Sequence, residues 1–402
     1  MNRRTFLTTG GMAALGLAAA GCATRSRVTT PARAPLRLMP VQASWDRIIR
    51  TTVGLRPHRD AGFVLRADKL DDKTLIHDYG HGGSGMSISW GTGAMAADMA
   101  LDAQGRRAAV IGCGVVGLTA ARQLQRRGFD VTIYAMAVHP NVTSSMSLAG
   151  FTPTSGLVET DRRTPEWDAQ FARAAEIAYR QLQLLAGPTY GVTWIPQFQP
   201  AQEIRPQVNA EQVSPDRAQV NPASAQVNPA RVDLDAGLQT ERVILQPGEH
   251  PFSTRYAIQR TSMRIEPSIY LETLMRDVLS FGGRIVIRKF DAPRDLMALS
   301  EPVIVNCSGL GSLDLFGDKE LMPVKGQLTV LVPQAEVTYQ TSGGLSVPST
   351  PGIGIHMMPR SDGIILGGTA QRGVWTTEPD EAERKRVVEG HIELFSSMRA
   401  PR

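Results

Sequence analysis

Ala108-Ala-Val-Ile-Gly-Cys-Gly-Val-Val-Gly117 is the stretch on which the fold turns. Ala108 to Ile111 is a short apolar run, Gly112, Gly114 and Gly117 follow at G-x-G-x-x-G spacing, and Leu118 to Arg127 has helical composition ending at Gly128. That order reads as strand, tight turn and helix, and the apolar Val131-Thr-Ile-Tyr134 supplies the next parallel strand. Such a unit sets a pyrophosphate on the backbone N–H groups of a helix N-terminus, an approach that Cβ atoms on the glycines would block. Cofactor contacts are therefore expected from Gly112, Cys113, Gly114, Val115, Val116 and Gly117. The acidic residue that usually ends the second strand and holds a ribose hydroxyl is replaced by the run Ala135-Met136-Ala137. Thr143, Ser144 and Ser145 lie just beyond, next to Val142. They either hydrogen-bond phosphate or ribose, making Val142, Thr143 and Ser144 further cofactor candidates, or form an ordinary loop or cap.

A second, longer motif precedes this one: His77-Asp-Tyr-Gly-His-Gly-Gly-Ser-Gly-Met-Ser-Ile-Ser-Trp-Gly91. It resembles the signature near the C-terminus of the D-amino-acid oxidase and D-aspartate oxidase family. Val53-Gly-Leu-Arg-Pro57 is similar to that family's G-x-R-P element, whose arginine grips the substrate carboxylate, and Arg56 occupies the arginine position. A planar guanidinium binds a carboxylate bidentately and fixes its orientation as Lys cannot, whereas a lone surface Arg usually sits in a salt bridge. Val303-Ile-Val-Asn-Cys-Ser-Gly309, Pro323-Val-Lys-Gly-Gln327 and Met358-Pro-Arg-Ser-Asp-Gly-Ile-Ile-Leu-Gly-Gly368 also resemble family segments, in family order. The stretch from Tyr270 to Phe290 looks like the family helix and strand whose backbone approaches the adenine.

The resemblance implies an α/β protein: a Rossmann-like FAD-binding domain with a second, mainly antiparallel β substrate domain. It implies FAD as cofactor and a D-amino acid as substrate. The substrate Cα hydride would pass to flavin N5, molecular oxygen would leave as peroxide, and the imino acid would hydrolyse in water. No side chain need act as an obligatory base, so orientation supplies most of the catalysis. Arg56 would hold the carboxylate and the Gly83 carbonyl would accept from the amine. Gly82, Ser84, Gly85, Met86 and Ser87 would line the isoalloxazine, and Phe290, Ser308 and Gly309 would complete the FAD contacts. Family members usually carry a tyrosine where His356 stands and another where Gly352 stands. His356 then either donates to the carboxylate or recognises an acidic side chain, both sensitive to pH near neutrality, or is a plain pocket wall.

In the family the counterparts of residues 53–91 follow those of residues 303–368, and here they come first, so the chain reads as a circular permutation. Cuts and joins in exposed loops between nearby termini are tolerated. Trp90 to Leu101 would be the family's terminal helix, with Asp102 to Arg107 leading into the first strand. The expected FAD domain spans residues 41–155 and takes back residues 285–325 and 355–402. The expected substrate domain spans 156–354, with an irregular insertion at 197–237. In that insertion Ala218-Gln-Val-Asn-Pro-Ala223 nearly repeats as Ala225-Gln-Val-Asn-Pro-Ala230, and Pro222 and Pro229 forbid continuous helix.

Arg3-Arg4-Thr-Phe6-Leu7 followed by the apolar stretch Gly10 to Ala20 reads as a twin-arginine export signal over residues 1–22, too short to span a bilayer. The export machinery is then a partner. Ala18-Ala-Ala-Gly-Cys22 resembles a lipobox, so Cys22 is either acylated, giving a membrane-anchored lipoprotein, or lost with soluble periplasmic release. Residues 23–40 read as a tether. Besides Cys22 the chain has two cysteines, Cys113 and Cys307, which build neither a disulfide framework nor a metal cluster. The net charge of +5 falls to +3 without Arg3 and Arg4, which is no nucleic-acid footprint. The leading function is an exported FAD-dependent D-amino-acid oxidase. A flavin amine dehydrogenase serving a membrane electron carrier, and a non-catalytic FAD-binding remnant, are the other readings; Met136, Gly352 and His356 speak for the last.

Overall fold

The computed structural model describes residues 33–148, 150–204, 238, 240–342 and 354–399. Its strands are β1 (Ile48–His58), β2 (Val64–Leu70), β3 (Lys73–Tyr79), β4 (Arg107–Ile111), β5 (Asp130–Ala135), β6 (Val192–Ala201), β7 (Val243–Leu245), β8 (Tyr256–Ile265), β9 (Arg284–Ile287), β10 (Val303–Asn306), β11 (Met322–Leu331), β12 (Gln340–Thr341), β13 (His356–Arg360), β14 (Gly363–Gly367) and β15 (Gln371–Arg372). Its helices are α1 (Gly85–Ala100), α2 (Val115–Arg126), α3 (Pro165–Leu184), α4 (Pro267–Ser280), α5 (Pro293–Met297), α6 (Gly311–Phe316) and α7 (Glu381–Ser396).

Two sheets result. The first runs β2-β3-β10-β4-β5-β9, parallel throughout except where β2 pairs antiparallel with β3. Its inner strands are continuous apolar runs, as burial on both faces requires: all of β10 is buried, as are Ala108 to Ile111 of β4. The upstream strand β3 pairs with β10, which itself pairs with β4, so the segment carrying His77 completes the sheet that carries the glycine turn. The second sheet has nine strands in the order β1-β11-β14-β13-β12-β6-β8-β7, with β15 on β11; it is antiparallel apart from the β12–β6 pair. β1 lies along nearly the whole of β11, from Ile48 opposite Leu331 to His58 opposite Met322.

Helix α1 is buried on almost every side, which suits a sequence with no polar face. Gly91 and Gly93 allow its tight packing, because a Cβ at 91 would stand 1.8 Å from the Ala174 carbonyl oxygen in α3 and one at 93 would stand 2.9 Å from Ala120 N in α2. Thr164 caps α3 by accepting from Trp167 N at 3.2 Å, ahead of Pro165 at the first helical position. Asp380 caps α7, accepting from Ala382 N and Glu383 N. The larger core gathers α1, α2, α3 and α4 against the parallel sheet, and a second core joins β6, β8, β13 and β14 to α7.

The structure departs from the expected boundaries in four places. β1, β13 and β14 lie in the antiparallel sheet rather than with the FAD-binding sheet, because their pairing partners are one another and β11, while α3 and α4 contribute to the core under the parallel sheet. Helix α1 starts at Gly85, five residues before the expected Trp90. Leu36 and Leu38, placed in the tether, pack on the second core, and Tyr339 donates to the Met39 carbonyl at 2.9 Å. Residues 197–201, assigned to the insertion, continue β6 in register with β8. The export signal, Cys22, the repeat at 218–230 and Gly352 lie outside the described residues. Among the described residues no helix is long and apolar enough to cross a membrane.

Candidate active site

A cavity of about 1080 Å³ is lined by the loops that follow β3, β4, β5 and β10 and by residues of β1, β6, β11, β12 and β13. Carboxyl ends of parallel strands are where open α/β sheets bind ligands. The volume exceeds that of an ordinary drug-sized pocket, roughly 300–1,000 Å³, and suits a dinucleotide with a small substrate beside it.

The glycine turn forms one wall. Gly112 sits at φ +112°, where a Cβ would stand 2.5 Å from the Cys307 carbonyl oxygen, and a Cβ at Gly117 would stand 2.0 Å from the Gly112 carbonyl oxygen. Gly114 is extended and leads into α2, whose first residues, Val115 and Val116, line the cavity and carry N–H groups without intrahelical partners. Ser144 Oγ takes one of them, accepting from Val115 N at 3.0 Å, so this serine caps α2 as well as lining the cavity. The acid missing after β5 stays missing: Met136 is exposed, and Asn141 is the nearby polar side chain in the lining.

The loop from Gly80 to Met86 forms the adjoining wall, where a Cβ on Gly85 would stand 3.4 Å from Val115 Cγ1, and is held from behind. Gly82 N donates to the Pro57 carbonyl at 2.8 Å, Ser84 Oγ donates to the Ser155 carbonyl at 2.9 Å, and Ser87 Oγ accepts from Thr152 N at 2.8 Å. His58 Nδ1 meets the Gly156 carbonyl at 2.9 Å, and that carbonyl lies where a Cβ on Gly82 would have to go. His58, Asp60 and Glu159 cluster closely enough to suggest a metal site, but Arg372 donates to both carboxylates and makes the cluster an ion-pair network.

Arg56 crosses the floor. Its guanidinium donates from Nη1 and Nη2 to the Thr369 carbonyl, both at 3.4 Å, and forms no ion pair with any described residue. Burial lowers its pKa. A cation sunk in a cavity wall without a counter-ion is costly until an anion arrives. Gly83, at φ +113°, backs against it, since a Cβ there would stand 2.9 Å from Arg56 Cδ. His356 approaches from β13 across Gly367, and burial, with His391 and Arg56 nearby, drives its pKa down to about 3. The imidazole is neutral at neutral pH. Asp78 is fully buried with His81 Nε2 3.5 Å from Oδ1; burial raises its carboxyl to about 8, against the opposing effect of the Thr92 hydroxyl. Burial raises the Cys113 thiol to about 12 and that of Cys307 as well, so both are inert at neutral pH.

Of the residues nominated from sequence, Arg56, Gly83, Gly85, Met86, Gly112, Cys113, Gly114, Val115, Val116, Val142, Thr143, Ser144, Ser308, Gly309 and His356 line this one cavity. Gly82, Ser84, Ser87 and Gly117 lie outside the lining and shape the backbone behind it. Phe290 also lies outside it, edge-on to Tyr134 in a cluster with Leu75, Ala109 and Ile111. The structure adds Asp78, Gln197, Ser262, Gln340, Thr341, Ser342, Thr369 and Glu383. Asp78 sat inside the quoted motif. The glutamines had no readable signal, one lying within the segment taken as irregular and the other on a strand of two residues.

A glycine-turn cradle, a second glycine loop beside it and, in the shared cavity, an arginine without an ion pair among the described residues define a flavin-dependent oxidoreductase. The family described as FAD dependent oxidoreductase (DAO) matches residues 107–401. A D-amino-acid oxidase of Rubrobacter xylanophilus is 28% identical over 300 residues, covering 74% of this chain and 79% of that protein. The human D-aspartate oxidase is 35% identical over 131 residues, 32% of this chain and 35% of its own length. Among solved structures, glycine oxidase from Geobacillus kaustophilus superposes with a TM-score of 0.51 at 16% identity, over 74% of this chain and 81% of that one, which shows a shared fold. The chain belongs to the DAO family of FAD-dependent oxidoreductases, and its cofactor is FAD.

Proposed function

We propose that this oxidoreductase oxidises D-amino acids to imino acids with release of hydrogen peroxide. The observation that carries the reading is Arg56, a cavity guanidinium with no carboxylate partner among the described residues. A substrate carboxylate would supply the missing charge with bidentate geometry. Gly83 lies against the same side chain, so its carbonyl would receive the substrate amine next to the carboxylate grip. Bound FAD supplies a two-electron acceptor that dioxygen reoxidises. Among the described lining residues the carboxyl groups are Asp78, buried and protonated near neutrality, and Glu383, paired with Arg386 at 2.7 Å; neither is a free base. Binding and orientation by Arg56 and Gly83 are therefore the protein's contribution. The D-amino-acid oxidase of Rubrobacter xylanophilus supports this choice of substrate.

Anaerobic titration of the holoenzyme with matched D- and L-amino acids tests the proposal through the flavin absorption band. Bleaching by D-isomers only, with peroxide formed in air, is the expected result. Bleaching without peroxide in air would favour a dehydrogenase, and bleaching by L-isomers or by none would overturn the reading. Arg56→Ala should raise KM by about 100-fold or more with FAD still bound.

The reversed motif order is proposed to be a natural circular permutation. The family match beginning at residue 107 supports it, as does the position of Arg56, Gly83 and Gly85, from the segment before that match, in the cavity with the glycine turn. Sequencing the transcript checks it. Export by the twin-arginine route, to the periplasm or to a lipid anchor at Cys22, is proposed from Arg3-Arg4-Thr-Phe6-Leu7. Replacing both arginines by Lys should strand the enzyme in the cytoplasmic fraction, and labelling with a radioactive fatty acid distinguishes anchoring from release.

A further inference from the structure

Beyond β13 in the sheet, on the side away from β1, the described residues that line the cavity carry no charge. Gln340 on β12 and Gln197 on β6 are opposite each other in the sheet, both line the cavity, and Gln340 Nε2 donates to Gln197 Oε1 at 2.8 Å. Among the described residues, this one hydrogen bond between two carboxamides leaves one NH₂ and one C=O uncommitted, and exchanging O and N in both side chains leaves the same pair. Beside them Ser342 Oγ is buried without a hydrogen-bond partner among the described residues, and it too lines the cavity. The wall thus offers a donor, an acceptor and a hydroxyl that serves as either. A carboxamide, with one acceptor and two donors, matches it.

Charged alternatives match poorly. Arg56 is the one guanidinium or ammonium among the described lining residues, so a second substrate carboxylate would meet no cation. A substrate ammonium would meet Asp78, which burial keeps protonated near neutrality, and Glu383, which Arg386 already holds.

We propose that the side-chain pocket formed by Gln197, Gln340 and Ser342 selects a D-amino acid ending in a carboxamide. This rests on the reading of the site as a D-amino-acid oxidase.

The experiment uses the full-length holoenzyme and two sets of probes. The first set is unreactive: glutaramate, glutarate and hexanoate, which share one carboxylate and end in amide, acid and alkyl groups, followed by perturbation of the flavin band. Glutaramate should bind about tenfold or more tightly than either of the others, since a site built for hydrogen bonding discriminates against partners that leave its groups unpaired. The second set is D-glutamine, D-glutamate and D-methionine, compared by kcat/KM, with D-glutamine leading by a similar factor. In Gln197→Met the ratio of D-glutamine to D-methionine should fall toward one, whatever happens to the absolute rates. Equal binding of the three acids, or D-methionine matching D-glutamine in the unsubstituted enzyme, overturns the carboxamide pocket even while the oxidase reading holds. Selective glutaramate binding with no flavin reduction by any D-amino acid overturns the oxidase reading and leaves the pocket standing.

Discussion

Arg56 lies flat across Gly326: a Cβ at position 326 would stand 2.5 Å from Nη2 and 2.8 Å from the guanidinium carbon. His356 lies across Gly367 in the same manner, with Nε2 2.3 Å from the place a Cβ would take. The two strands between β1 and β13 are bare at these points, so a cation and a neutral imidazole converge on one spot from opposite directions. Gly326→Ala should push the guanidinium aside. A displacement of about 1 Å costs up to roughly 100-fold, so kcat/KM for a D-amino acid should drop between about 10- and 100-fold, mainly through KM. Steady-state kinetics with the flavin content measured in parallel checks this; an unaltered KM would mean that the guanidinium does not hold the substrate.

His356 should leave no mark on the pH profile. Its folded pKa, about 3, lies below the ordinary 6.5, so between those values the folded protein holds it neutral while the unfolded chain takes a proton. Stability from this group is present above about pH 6.5 and is lost as pH falls toward the folded value. Activity between about pH 5.5 and 8 should accordingly show no histidine inflection assignable to it, and His356→Gln should change the magnitude of kcat/KM without changing the profile. An inflection near neutrality that vanishes in His356→Gln would show that the ring titrates during turnover.

The backbone half of this site was legible in the sequence because it is made by glycines at fixed spacing between apolar runs. Gly112, Gly114 and Gly117 have little freedom to mean anything else once a strand precedes and a helix follows, and Gly83 came with an equally dense motif. What the sequence did not disclose depends on pairing across long separations. β12 is two residues long, and only its partners β6 and β13 bring Gln340 to the cavity beside Gln197. Sheet membership of β13 and β14 misled for the same reason: they pair with each other and, through β14, with β11, which their local pattern does not reveal. The absence of ion pairing at Arg56 is likewise a fact of the folded cavity, invisible in the residues around it.

Gly117 touches no part of the cavity, yet the turn depends on it. A Cβ there would lie 2.0 Å from the Gly112 carbonyl oxygen, backbone that cannot rotate away. Gly117→Ala should therefore reshape the turn and weaken FAD. An overpacking strain of roughly 1–3 kcal/mol corresponds to a loss of affinity between about 5- and 150-fold. Quenching of flavin fluorescence on titration into the apoprotein measures it, and an unchanged Kd would mean that the pyrophosphate does not rest on this turn.

Asp78 stores the clearest dependence of stability on pH. Its folded pKa of about 8 stands above the ordinary 3.8, so between those values the folded protein keeps a proton that the unfolded chain releases. Stability must fall as pH rises through that window, by at most about 1.4 kcal/mol per pH unit, and level off once the folded carboxyl also ionises. Asp78→Asn keeps the shape and removes the titration. The variant's advantage over the unsubstituted protein should be smallest near about pH 4.5 and grow toward about pH 8. Taking this difference cancels the opposite acid sensitivity of His81, whose pKa is lowered to about 3 by burial and whose ring is common to both proteins. Urea unfolding midpoints across that range give the result. A difference that does not vary with pH would mean that Asp78 is ionised in the folded protein, with a counter-charge other than the neutral His81 ring beside it.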